Sequence, residues 1–150
     1  MDYQTNIYEY ISTCPQDTVS LGEKIAGRLE KGSVVALCGG IGSGKTCLAA
    51  GIARGLGIEE TITSPTYTII SEYPGKVTLY HIDAYRLNGD EDFEHTGALE
   101  LLGAGGITVV EWSDRIPNSL PSDTISINIE ITGENRRVFR IKGVETLYEQ

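Results

Sequence analysis

Residues 39–46, GGIGSGKT, constrain the fold of this chain more than any other stretch. They fit the spacing G-x-x-x-x-G-K-[ST], with Gly39, Gly44, Lys45 and Thr46 at its fixed positions. A chain of 150 residues with 18 glycines meets this pattern by chance only about 0.01 times. The flanks add to the signal. SVVALC, just before, is a short apolar run of the kind that forms a buried parallel strand. CLAAGIARGLG, just after, sets Leu48, Ile52 and Leu56 on one helical face and stops at Gly57. Strand, glycine loop and helix is the order a phosphate site requires. Glycines bring backbone N–H groups close to phosphate oxygens, and the helix N-terminus adds partial positive charge. Lys45 is the residue expected to reach the outer phosphates, and the Thr46 hydroxyl the one expected to hold Mg²⁺.

The length suits one domain over residues 1–150, enough for a substantial core. Twelve basic against 21 acidic residues give a net charge of −9, which argues against autonomous binding to nucleic acid, since phosphate neutralisation dominates that affinity. Any tRNA or DNA contact is therefore expected to be made through a partner. No apolar run approaches the roughly 18 residues of a membrane helix, and MDYQTNIYEY does not resemble an export signal. Cys14, Cys38 and Cys47 form no C-x-x-C pair, and a reducing cytoplasm is the expected location.

Along the chain, NIYEYIST reads as an edge strand and DTVSLGEKIAGRL as a helix capped by Asp17 or Thr18. TITSPTYTIISEY is turn-rich and enters a strand, YPGK is a hairpin turn, and KVTLYHIDAYRL is the second strand. DEDFEHTGALELLGAGG reads as one or two short acid-capped helices. ITVVEW is another buried strand, and TISINIEIT pairs with RRVFRIKG as a late antiparallel hairpin around GEN. The sum is a three-layer α/β sandwich, parallel in the centre with antiparallel additions at its edge.

A phosphate loop needs an acid for its metal, delivered by a neighbouring strand. Glu111 ends ITVVE, at the carboxyl edge where open α/β sheets bind ligands, and is the first candidate; a plain solvent carboxylate is the alternative. Asp83 ends the strand of YHIDAYR and is expected near the γ-phosphate, against a structural pairing with Arg86. His81, two residues earlier on the same face, reads as a hydrogen-bonded structural residue more readily than as a reactive one, and His95 more weakly still. Trp112 is a packing residue or a stacking surface beside the nucleotide. Arg136 and Arg137 offer one cation to the nucleotide, and residues 12–15 (STCP) border its base in the same reading.

In this order and spacing, GGIGSGKT, SPTYT, HIDAYRL and VEWSDR resemble the bacterial TsaE (YjeE) family, P-loop ATPases that assist tRNA threonylcarbamoyladenosine synthesis. The resemblance covers nearly the whole chain. It implies a P-loop NTPase αβα sandwich, ATP and Mg²⁺ as ligands, and TsaD and TsaB as partners. Carried over by position, the nucleotide loop is Ile41, Gly42, Ser43, Gly44, Lys45 and Thr46. Thr46 and Glu111 hold the metal, Asp83 and Lys45 serve hydrolysis, and Thr66 of SPTY belongs to a segment that senses the γ-phosphate. Thr13 is the nucleotide contact assigned near the N-terminus. The late arginine aligns with Arg136 or Arg137, with Arg136 preferred. The family loop commonly begins G-D-L-G; here Gly40 replaces the acid, which leaves backbone contacts to phosphate intact.

Three function classes compete. A GTP switch would carry an [NT]-K-x-D segment, which is absent. A small-molecule kinase, the alternative reading, would bring an arginine-rich lid, yet the stretch from Asp90 to Gly106 holds five acids and no Arg or Lys. A scaffold with a dead site would lack the metal acid. The expected function is a weak, partner-stimulated ATPase that supports repeated tRNA modification.

Overall fold

The structure is a computed structural model and describes residues 7–62 and 69–144. Its frame is a seven-stranded sheet in the order β1-β7-β6-β2-β5-β4-β3. The strands are β1 (Tyr8–Ser12), β2 (Val34–Gly39), β3 (Ile70–Tyr73), β4 (Leu79–Asp83), β5 (Ile107–Glu111), β6 (Ile125–Gly133) and β7 (Arg136–Lys142). The four central strands β6, β2, β5 and β4 run parallel. At one edge β3 adds antiparallel to β4, and at the other β7 and β1 extend the sheet antiparallel to β6. The expected parallel centre with antiparallel edges is what the chain forms.

Two helices, α1 (Pro15–Ala26) and α2 (Lys45–Gly55), cover one face of the sheet. Strand alternation decides which side chains meet them. On β2, Val35 and Leu37 join the α1–α2 core, whereas Val34 faces the other way; on β5, Ile107 and Val109 do so while Val110 does not. The opposite core is smaller: Val34, Ile82, Val110 and Ile116 pack there with Phe93 of the short helix α3 (Asp90–His95) and with Ala98. This second cover lies over β2, β5 and β4. On β1, β7 and β6, residues of that same face form a solvated ion network instead, with Arg140 bridging Glu9 at 3.0 Å and Glu130 at 2.8 Å. The three-layer description thus fits β2, β5 and β4, whereas among the described residues β6, β7 and β1 carry helices on one side only.

α1 starts earlier than expected. Cys14 takes the capping position with extended backbone and no side-chain bond, and Pro15 opens the first turn, where its fixed φ suits the helix. Neither Asp17 nor Thr18 is the cap. Asp17, inside the first turn, reaches back to accept the Thr13 backbone N–H at 2.9 Å and its hydroxyl at 3.0 Å. Those two bonds, the backbone one first, lower the Asp17 pKa.

α1 and α2 approach each other through glycine. A Cβ on Gly51 would lie 2.4 Å from the Val19 carbonyl oxygen, and one on Gly22 would lie 2.6 Å from that of Leu48. Backbone cannot yield as a side-chain tip does. Gly51→Ala is expected to destabilise the fold by at least about 2 kcal/mol and lower the thermal midpoint by roughly 4–8 °C. Gly27→Ala, whose Cβ would meet nothing closer than 3.5 Å, serves as the near-neutral control. Equal midpoints for the two variants in calorimetry would show that the helices have room to separate.

Candidate nucleotide site

The glycine loop leaves the carboxyl end of β2 and enters α2 at Lys45. Gly42 and Gly44 have φ of +78° and +106°, a left-handed region that side-chain-bearing residues rarely occupy, so the loop geometry requires glycine at both. Gly44 caps α2 without a side-chain bond, which leaves the first N–H groups of the helix facing the loop. Ser43 Oγ is buried and has no hydrogen-bond partner among the described residues. A loop of this shape with an unsatisfied buried hydroxyl fits a phosphate group.

Lys45 is nearly buried, and its Nζ donates to the carbonyls of Gly39 at 2.6 Å and Gly40 at 2.9 Å. Two of its three donors are thereby used. The ammonium also sits 4.0 Å from the centre of the Trp112 ring, close enough for a cation–π contact. Burial lowers the Lys45 pKa, opposed by the negative charges of Glu111 and Asp83.

Those two acids come from adjacent strands. Asp83 and Glu111 are register partners at the carboxyl ends of β4 and β5, with side chains on the α2 side. Thr46 Oγ1 donates to Glu111 Oε2 at 3.3 Å, and the same oxygen lies 2.5 Å from His81 Nε2. Asp83 is held by its own turn, since its Oδ1 accepts the Tyr85 backbone N–H at 3.0 Å. Like charges directly opposite on neighbouring strands repel, which favours a cation between them. The donors are hydroxyl and carboxylate oxygens, a set suited to Mg²⁺. Among the described residues no group of three or more His, Cys, Asp or Glu could enclose a metal ion.

Ile41, Gly42, Ser43, Gly44, Lys45, Thr46, Asp83, Glu111 and Trp112 line one hollow of about 340 Å³. A second hollow of about 200 Å³ lies on the other flank of the loop, walled by Ser12, Cys14, Pro15, Thr18, Cys47, Asn135 and Arg137 among others. Two expectations change here. Arg137, not Arg136, reaches the loop: its Nε and Nη2 donate to the Gly42 carbonyl at 3.3 and 3.1 Å. Arg136 donates to Thr132 Oγ1 within its own hairpin. The reason is strand parity, because Arg137 shares a face with the core residues Phe139 and Ile141. Thr13 likewise turns away to Asp17, and its neighbours Ser12 and Cys14 line the hollow. Thr66 lies outside the described residues. His95 ends α3 and lines neither hollow.

Trp112 follows Glu111 with φ +59°, the one positive φ outside glycine among the described residues. That turn swings its ring over Lys45 and against Tyr85, at a 4.9 Å centroid distance. Strain of this kind costs about 1–3 kcal/mol and gathers at functional sites. The composition of ITVVEW carried no signal for it.

Comparison with known proteins bears on the family and the fold. Residues 12–139 match the family model for the threonylcarbamoyl adenosine biosynthesis protein TsaE. The chain is 44% identical over 127 residues to the tRNA threonylcarbamoyladenosine biosynthesis protein TsaE of Treponema pallidum, covering 85% of this chain and 94% of that one. Its identity to the protein of the same name from Bacillus subtilis is 36% over 136 residues, covering 90% and 85%. The crystal structure of Bacillus subtilis YdiB superposes with a TM-score of 0.77 at 32% identity, over 96% of this chain and 90% of that one. The chain belongs to the TsaE family of tRNA threonylcarbamoyladenosine biosynthesis proteins.

Proposed function

We infer that this TsaE-family chain binds ATP with Mg²⁺, hydrolyses it slowly, and so supports repeated rounds of tRNA modification by TsaD and TsaB. The observation that carries the reading is the convergence of Lys45, Thr46, Asp83 and Glu111 on one hollow beside the glycine loop. In this reading the loop N–H groups and Lys45 bind the outer phosphates. Thr46 and Glu111 hold Mg²⁺, which screens the charge of the phosphates and of the two facing acids. Asp83 orients the attacking water. The hollow on the other flank, with Arg137 at its wall, takes the nucleoside.

The kinase reading has less support. A kinase lid would close over the phosphates with cations, whereas Asp90 at the start of α3 is tied down by Asn118 and Ser119. The Lys45 and Arg137 donors already face carbonyls of the loop, and among the described residues no further cation lines the phosphate hollow. In this reading a partner surface completes the charge stabilisation of the transition state.

Following γ-labelled ATP tests the reading. The label is expected as free phosphate, released slowly by the isolated protein and faster once the TsaD–TsaB pair is added. Label accumulating on a small metabolite, with no response to the pair, would replace this reading with the kinase one.

A further inference from the structure

His81 has no part in the scheme above, yet it is fully buried beside the acid assigned to the metal. Glu111 is 3% exposed, and its Oε2 receives two contacts, from His81 Nε2 at 2.5 Å and from Thr46 Oγ1 at 3.3 Å. A Glu111 carboxylate only accepts, so Nε2 is the donor of this contact. His81 Nδ1 is buried and has no hydrogen-bond partner among the described residues. A residue serving only to fill this core would be aliphatic, as Leu79 and Val109 beside it are, and would leave no nitrogen unsatisfied. We propose that His81 is a positioning residue: by donating to Glu111 Oε2 it fixes the carboxylate in the orientation that meets Thr46 and hence the Mg²⁺ of the nucleotide complex. Outer partners of this kind orient the ligand and typically change metal affinity by about 10–100-fold when removed. The inference rests on the Mg²⁺–ATP reading of the site.

The test is calorimetric titration of ATP into the full-length protein, once in EDTA and once across a Mg²⁺ series. His81→Leu keeps the volume and removes the donor. His81→Gln places an amide N–H where Nε2 stands, and His81→Asn holds one too short to reach. Wild-type protein that fails to bind Mg²⁺–ATP would overturn the proposed function and this inference with it. If wild type binds, the Leu and Asn variants are expected to need about tenfold more Mg²⁺ for half-saturation. Their affinity in EDTA should stay within about twofold of wild type, with Gln recovering most of the Mg²⁺ response. Should the Leu variant fail to fold, the Asn and Gln pair decides the matter alone. Unchanged Mg²⁺ half-saturation in a folded Leu or Asn variant overturns the inference and leaves the ATP reading standing. An equal loss with and without Mg²⁺ also overturns it, because that is the mark of packing.

Discussion

Lys45→Ala is expected to weaken ATP binding by about two orders of magnitude while leaving the protein folded. A hydrogen bond to a charged group contributes about 1.5–3 kcal/mol, and every factor of ten in affinity is about 1.4 kcal/mol. One ammonium contact to phosphate therefore accounts for the effect. The fold should tolerate the change because the apolar α1–α2 core is built from other side chains of α2, Leu48, Ala49, Ile52 and Ala53. Its Nζ instead bonds the Gly39 and Gly40 carbonyls at the open end of β2. Burial already disfavours the charged amine there, which offsets part of what those two bonds contribute. The thermal midpoint of the empty protein should therefore shift by no more than about 4 °C. Titration calorimetry with ATP, beside a melting curve of the same sample, checks both halves. Retained wild-type affinity in the folded variant would remove the loop hollow as the phosphate site. A collapsed melting curve would mean that the two carbonyl bonds hold the loop together.

Much of this site was legible in the sequence because its parts obey short-range rules. The glycine spacing, the apolar run before it and the i, i+4, i+8 face after it are local, and they place β2, the loop and α2 without knowledge of the rest. The carboxyl-end positions of Asp83 and Glu111 follow from where two apolar runs stop. Their pairing in register does not, since it depends on β4 docking beside β5 through a crossover of more than twenty residues. Arg137 was recoverable in principle. Alternation through Val138, Phe139 and Ile141 separates the faces, and the core face includes 137. Position in an aligned motif pointed one residue away. The start of α1 was misread for a similar reason: Asp17 and Thr18 are good capping residues, but Pro15 already fixes a helical φ ahead of them. The left-handed turn at Trp112 left no trace in the sequence, because nothing local favours that conformation for Trp. Contacts with Lys45 and Tyr85 supply the compensation, and those exist only in the assembled fold.

Asp83→Asn should separate hydrolysis from binding. The substitution keeps an Oδ1 acceptor for the Tyr85 N–H, so the turn after β4 survives. It removes the charge facing Glu111 across the strand pair. With the TsaD–TsaB pair present, phosphate release is expected to fall by about 10²–10³-fold, the usual loss when a group that orients or deprotonates the nucleophile is removed. ATP affinity should hold within a few-fold, because Lys45 and the loop are untouched. Glu111→Gln should do the opposite. It keeps the volume of a buried side chain and an oxygen for Thr46, but it removes the charge that the proposed function assigns to Mg²⁺, so the Mg²⁺ requirement for binding is expected to rise first. The two variants therefore move along different axes, one along turnover at saturating Mg²⁺–ATP and the other along the Mg²⁺ concentration that saturates. The assignment turns on position: Asp83 is half-exposed at the rim of the hollow, where water has access, whereas Glu111 is 3% exposed and bonded to Thr46. Single-turnover phosphate release measured beside Mg²⁺ titrations would reveal the split. Normal turnover by Asp83→Asn at saturating ligand would remove Asp83 from the reacting end of the site, and the water would have to be oriented from the partner surface.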